Sequence, residues 1–164
     1  MDLLDLAHRV PRLLGHDHGT RTQAITIARP RAQVAAFWHD PDNLDRILDG
    51  IAEIRPAGPD RCTWVFGAGT EAETRWETEV IDLDGGLSFL GSGDAVGEWR
   101  VRVSFADAPH GLGTEVTVRT RTPLPRPLTR AVVFTALYRA RALLQTGETP
   151  ESAPPASGRA GEER

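Results

Sequence analysis

The chain contains no lysine: all 19 of its Lys/Arg positions are arginine, and it holds one cysteine, one methionine and one tyrosine in 164 residues. A single cysteine, Cys62, excludes an intramolecular disulfide framework and any zinc or iron–sulfur site built from several thiolates. Positive charge is also in deficit. The formal net charge is −4 at pH 7, which leaves no cationic footprint for nucleic acid or anionic lipid. No apolar run approaches the roughly 20 residues that a membrane helix needs. The opening Met1-Asp2-Leu3-Leu4-Asp5 is acidic where a secretory signal is basic, which points to a cytoplasmic protein. Arginine without lysine, beside abundant Ala, Gly and Pro, reads as the codon bias of a GC-rich genome. Against these absences, 40% of the residues are hydrophobic, enough for a core in one domain with tails.

Three segments follow from composition. Residues 1–20 form an N-terminal extension in which Leu3, Leu6, Ala7, Val10 and Leu14 recur at helical spacing, interrupted by Pro11. This predicts a short amphipathic helix docking on the body. The body covers residues 21–147. From Gly147 to the end there is no large apolar side chain, so residues 148–164 are expected to form a disordered tail that buries too little surface to offset its ordering entropy.

Within the body, Gln23–Ala28 reads as a strand. Pro30 opens a helix over Arg31–Trp38, and Asp40 caps a second one over Pro41–Ile47. The hydrophobic period then changes from 3.6 to 2. Strands are expected at Ile51–Arg55 and Cys62–Phe66, paired around Ala57–Asp60, then at Glu71–Asp82 and, after Asp84-Gly85-Gly86, at Leu87–Leu90. Gly97–Phe105 and Thr114–Arg121 form a last hairpin. A Pro-rich break at Thr122–Pro127 precedes a long helix, Leu128–Thr146, which ends at Gly147. Strands segregated from helices predict an α+β fold with an antiparallel sheet, lidded by the long helix.

Strand phase predicts what the inside looks like. Ala72, Thr74, Trp76, Thr78 and Val80 share one face, against Glu71, Glu73, Arg75, Glu77 and Glu79 on the other. Trp99, Val101, Val103 and Phe105 align in the same way, as do Val116 with Val118, and Cys62 with Trp64 and Phe66. The closing helix carries Val132, Val133, Ala136, Leu137, Ala140, Leu143 and Leu144 on one stripe, with Phe134 and Tyr138 at its margin. An unpaired charge on the inward face would cost several kcal/mol, and the pattern holds none. The expected interior is apolar.

The element order resembles that of a START-like (SRPBCC) domain, and more narrowly its bacterial polyketide cyclase/dehydrase-like branch. The likeness is carried by Ile27-Ala28-Arg29-Pro30 leading to Phe37-Trp38, by Asp40-Pro41-Asp42-Asn43-Leu44, and by Trp64 and Arg75-Trp76. Gly113-Thr114-Glu115-Val116 and the closing Leu143-Leu144-Gln145-Thr146-Gly147-Glu148 complete it. It covers about Thr22 to Glu148. The resemblance implies a helix-grip fold: a seven-stranded antiparallel curved sheet around a long C-terminal helix, in the order β-α-α-β6-α, enclosing an apolar cavity. Members of the superfamily bind lipids, sterols, quinones, hormones or polyketide intermediates, and a minority catalyse cyclisation or dehydration. Two departures concern the cavity mouth. Phe89 stands where relatives often have Trp, and Thr122–Pro127 lacks the usual Gly-rich turn. No catalytic residue of the polyketide aromatase/cyclases matches a position here, so none is transferred.

Other motifs have bland readings. Gly91-Ser92-Gly93-Asp94-Ala95-Val96-Gly97 looks like a phosphate loop, but a strand rather than a helix follows it, so a hairpin loop is expected. His16-Asp17-His18 lacks the further ligands that zinc requires. Asp40–Asp45 begins like a calcium loop, yet Leu44 takes a ligand position, and acids in a first helical turn explain the pattern. Cys62, inward on a strand, reads as an inert small hydrophobe. Glu98, Asp94 and His110 sit at strand ends or loops without a partner for acid–base work. The tryptophans Trp38, Trp64, Trp76 and Trp99 are either plain core or the wall of a pocket.

The function expected from this reading is binding of a small hydrophobic ligand, without metal or cofactor. Its lining is expected to comprise Trp64, Thr74, Trp76, Thr78, Phe89, Trp99, Val101, Val118, Val133 and Leu137. One alternative is a cyclase, aromatase or dehydratase that holds a flexible chain in a reactive shape, which needs a titratable group such as Tyr138 or Glu98 facing inward. Another is a protein-interaction module that uses Phe134 and Tyr138 beside Arg141 as an aromatic patch for homodimerisation.

Overall fold

The computed structural model describes residues 20–93, 97–122 and 125–148. The segment Leu3–Leu14, the motif His16-Asp17-His18, Asp94 and the tail beyond Glu148 lie outside the described residues. The elements are β1 (Arg21–Ile27), α1 (Arg31–His39), α2 (Pro41–Ile47), β2 (Ala52–Gly58) and β3 (Arg61–Phe66). They continue with β4 (Thr74–Leu83), β5 (Gly86–Gly93), β6 (Gly97–Asp107), β7 (Thr114–Arg121) and α3 (Arg126–Thr146). All strands join one antiparallel sheet in the order β1-β7-β6-β5-β4-β3-β2. The architecture is the helix-grip fold: a curved sheet with α3 lying against its inner face, chiefly over β1, and α2 against β2. No helix among the described residues is long and apolar enough to cross a membrane.

Local chemistry accounts for the helix ends. The Asp40 carboxylate accepts the Asp42 N–H at 2.9 Å and caps α2, while Asp45 accepts the Ile54 N–H at 2.9 Å and ties α2 to β2. Two of the three acids of the calcium-like motif, Asp40 and Asp45, thus serve the backbone. Gly147 closes α3 in the left-handed conformation, its N–H on the Leu143 carbonyl, as a helix C-cap requires. Along its length α3 is pinned by polar contacts. Gln23 Nε2 donates to the Arg130 carbonyl at 3.2 Å. Arg139 donates to the Ile47 and Asp49 carbonyls at 3.1 and 2.7 Å. Gln145 accepts the Ala28 N–H at 3.1 Å, while its own carbonyl takes Arg29 at 2.9 Å.

Strand ends differ from expectation in instructive ways. The alternating pattern begins at Glu71, but β4 begins at Thr74. Residues 67–73 are held as a turn instead: the Thr70 hydroxyl donates to the Gly67 carbonyl at 2.7 Å, and Glu73 accepts the Gly69 N–H at 3.0 Å. β5 continues past Leu90, and Gly91-Ser92-Gly93 are ladder residues up to the Gly93–Gly97 pair. The glycine-rich stretch is therefore largely strand, leaving only residues 94–96 as its undescribed tip. Val65 is buried on the outward face, set by the register between Glu53 and Arg75. At the sheet's edge, β2 carries Pro56 and a register shift between Pro56 and Gly58. Gly113 sits at φ +113, where a Cβ would meet the Ile27 carbonyl at 2.1 Å; only glycine lets β7 start this close to β1.

One polar pair joins the first helix to the sheet. His39 Nδ1 lies 2.8 Å from the Ala35 carbonyl, and Nε2 faces the Asp82 carboxylate. Serving both acceptors requires both ring N–H groups, that is, the imidazolium. Burial opposes the charge, but the Ala35 carbonyl and Asp82 outweigh it and raise His39 above its ordinary value of 6.5. A raised folded-state value means the pair stabilises fully below 6.5 and its contribution is lost as pH rises through the higher folded value. His39→Gln is therefore expected to lower the urea midpoint in mildly acidic buffer and to leave it nearly unchanged in alkaline buffer. An equal loss at both pH values would refute the protonated pairing.

Candidate functional site

The inner faces of β3–β6 carry three of the chain's four tryptophans, Trp64, Trp76 and Trp99. The ladder sets Trp64 opposite Trp76, Thr78 opposite Gly91, and Gly91 opposite Trp99. Adjacent strands lie about 4.8 Å apart, so Trp99 on β6 is separated from Trp76 by β5 and from Trp64 by β5 and β4. It reaches both because Gly91 has no side chain. A Cβ there would fall 2.2 Å from the Trp99 ring, so the indole lies directly on the Gly91 backbone. Its ring centroid is 5.1 Å from that of Trp76 and 5.0 Å from that of Trp64, all tilted rather than parallel. Phe66 extends the cluster at 4.6 Å from Trp76, and Phe89 at 5.7 Å from Trp64.

The polar handles of this cluster are unequal. Trp64 Nε1 donates to Cys62 Sγ at 3.3 Å. Burial pushes the Cys62 thiol above its ordinary value, against a lesser opposing effect of that hydrogen bond, which keeps it a weak nucleophile. The Thr74 hydroxyl turns to the Ala72 carbonyl at 3.3 Å, and that of Thr78 to the Trp76 carbonyl at 3.4 Å. Neither hydroxyl serves an indole. Trp76 and Trp99, 3% and 1% exposed, have Nε1 groups with no partner, as does Trp38 of α1. Each such buried donor costs about 1–3 kcal/mol while it stays unpaired.

The ten expected lining positions fall as follows. Trp64, Trp76, Phe89, Trp99, Val118, Val133 and Leu137 belong to one buried cluster, with Val101 packed against it. Thr78 is buried and Thr74 half-buried on the same strand face. Glu98 is exposed, His110 stands at positive φ in the turn Pro109–Gly111, and Tyr138 is on the outer side of α3. None of these three faces the interior. Buried polar side chains among the described residues are Thr78, Ser88, Thr114, Thr120 and Thr129. No group of three or more His, Cys, Asp and Glu residues among them is arranged to hold a metal ion. Phe66 and Gly91 were not singled out as site residues from sequence. The signal for Gly91 was the short hairpin Gly93–Gly97, from which counting back places it opposite Trp99.

Comparison with known protein families and with curated proteins gives no match. Among solved structures, the DR_A0006 protein of Deinococcus radiodurans is similar with a TM-score of 0.61 at 22% identity, over 77% of this chain and 98% of that one. The TTHA0849 protein of Thermus thermophilus is similar at 0.62 and 19%, over 80% and 100%. The di-domain ARO/CYC StfQ from the steffimycin biosynthetic pathway is similar at 0.60 and 13%, over 76% of this chain and 44% of its own length. These likenesses show a shared fold.

The Gly91–Trp99 contact is open to a direct test. Gly91→Ala is expected to destabilise the protein by about 1–3 kcal/mol through overpacking, and Trp99→Ala by about 3–5 kcal/mol through the lost ring. Because both act through one contact, the double variant is expected to cost less than the sum of the two. Additive losses in chemical denaturation would show that the glycine does not seat the indole.

Proposed function

We propose that the inner face of the sheet binds a small hydrophobic molecule of lipid, quinone or polyketide-like character, one of whose oxygens accepts hydrogen bonds from Trp76 and Trp99. The observation that carries this reading is the pair of deeply buried indole N–H groups without partners, on rings whose centroids are 5.1 Å apart. In an apolar surround a pair of unmet donors favours a ligand that brings an acceptor. Ring faces and aliphatic side chains from β7 and α3 would supply the remaining contact. Selectivity would rest on shape and on where the acceptor lies along the ligand rather than on charge. Membership of the START-like superfamily, in its polyketide cyclase/dehydrase-like branch, accords with the fold shared with StfQ. No cofactor is required for this role.

That shared fold also favours a second reading, in which the same interior folds a polyketide-like chain for cyclisation or dehydration. Holding reacting atoms together supplies much of such a barrier without acid–base groups. Incubation with a linear polyketide mimic separates the two, since only the enzyme turns over.

For the binding reading, ligands with and without carbonyl oxygens are titrated by calorimetry. Trp76→Phe and Trp99→Phe keep an aromatic ring and remove the donor. Each is expected to weaken a quinone or polyketide ketone about tenfold, near 1.4 kcal/mol per lost hydrogen bond, and to leave an oxygen-free aromatic hydrocarbon nearly unaffected. Equal loss for both ligand classes would sink the donor role. Absence of binding across lipids, quinones and aromatic polyketides, together with no adduct in native mass spectrometry of protein from its own host, would sink the pocket.

A further inference from the structure

We infer that the outer face of α3 is the docking site of this chain's own N-terminal segment, residues 1–19. The helix presents two aromatic side chains to solvent there: Phe134 at 63% and Tyr138 at 44% exposure. Their rings stack at 6.3 Å with planes 8° apart, and the Arg141 guanidinium lies 5.6 Å from the Tyr138 ring centre. Together the two stacked rings make a contiguous exposed aromatic patch, a feature that often marks an interaction site. It continues into a groove of about 500 Å³ lined by Arg21, Arg126, Pro127, Arg130, Ala131 and Phe134.

Chain continuity selects the occupant. Arg21, the first residue of β1, is itself a wall of the groove beside Phe134, so a segment joined to it would need no long linker to reach the groove. From Phe134 to Arg141 along α3 is about 10 Å at 1.5 Å per residue, and a dozen helical residues extend about 18 Å. The segment carries a matching surface: ahead of Pro11, Leu3, Leu6 and Val10 fall on one helical stripe, with Asp5 on the other side and Asp2 at the flank. The groove and its rim supply cations. Among the described residues, Arg21, Arg130 and Arg141 take part in none of the ion pairs. Apolar residues of the segment would cover the Phe134–Tyr138 stack, with its acidic turn toward Arg141.

Tyr138 is the chain's one tyrosine, so incorporation of 3-fluorotyrosine gives a single fluorine NMR signal at the proposed contact. The full chain is compared with the variant Leu3→Ser/Leu6→Ser/Val10→Ser, with a soluble paramagnetic agent as probe and dilution as a second axis. Docking predicts a signal shielded in the full chain at every concentration, with relaxation enhancement that rises severalfold in the variant. A signal equally accessible in both proteins overturns the proposal. Shielding that disappears on dilution and is indifferent to the three substitutions also overturns it, and assigns the face to a second copy of the chain. Circular dichroism of the variant distinguishes undocking from loss of the fold. If the fold is lost, Leu6→Ser alone is read in the same way.

Discussion

One helix cannot cover seven strands. With α3 closest to β1 and α2 closest to β2, much of the inner face of the middle strands is covered by large side chains of the sheet itself, which meet those of α3. Trp64, Trp76, Phe89 and Trp99 do this, and they can because β5 contributes glycine at position 91. The gap left by one missing Cβ lets the Trp99 ring reach across neighbouring strands and knit β6 to β3 and β4. The polar pins on α3 act at its flanks: Gln23, Arg29 and Gln145 tie it to β1 and the segment that follows, and Arg139 ties it to the end of α2.

That division of labour separates charge from the interior. Along β4, Glu77, Glu79 and Arg75 face outward while Trp76 and Thr78 face in, and Asp82, at an inward-phase position opposite Leu87, is exposed near the strand's end. The titratable pair His39–Asp82 joins helix to strand on the outside, and the interior thiol is held in its neutral form by burial. An interior of this kind recognises a molecule by shape and by a small number of directed donors. Indole N–H groups suit that role, since a tryptophan supplies much apolar surface with one fixed hydrogen-bond direction.

Much of this architecture was legible in the chain. Period-two alternation from Thr74 to Val80 and from Trp99 to Phe105 placed the inward faces correctly, the stripe on α3 matched its buried side, and Asp40 and Gly147 marked real helix ends. What escaped depended on register or on distant partners. The start of β4 was lost to side-chain hydrogen bonds inside residues 67–73, which no alternation reveals. The seat of Trp99 required knowing which glycine faces it. Val65 falls at an outward position by alternation, yet it is buried, between Glu53 and Arg75 in the ladder. His39 and Asp82 lie 43 residues apart, and Arg139 lies 92 and 90 residues from the Ile47 and Asp49 carbonyls that it serves.

The two margins of the sheet have a consequence for behaviour in a crowded solution. An exposed strand edge is a template on which another chain can add. At one margin, Pro56 removes a donor from β2 and the adjacent register shift bends its line. At the other, β1 runs beside α3 and its Gln23 side chain reaches across to the helix backbone. The β2 end thus offers no straight row of free amides, so growth of the sheet from molecule to molecule at that margin, the route toward cross-β fibres, is obstructed by ordinary covalent and steric means.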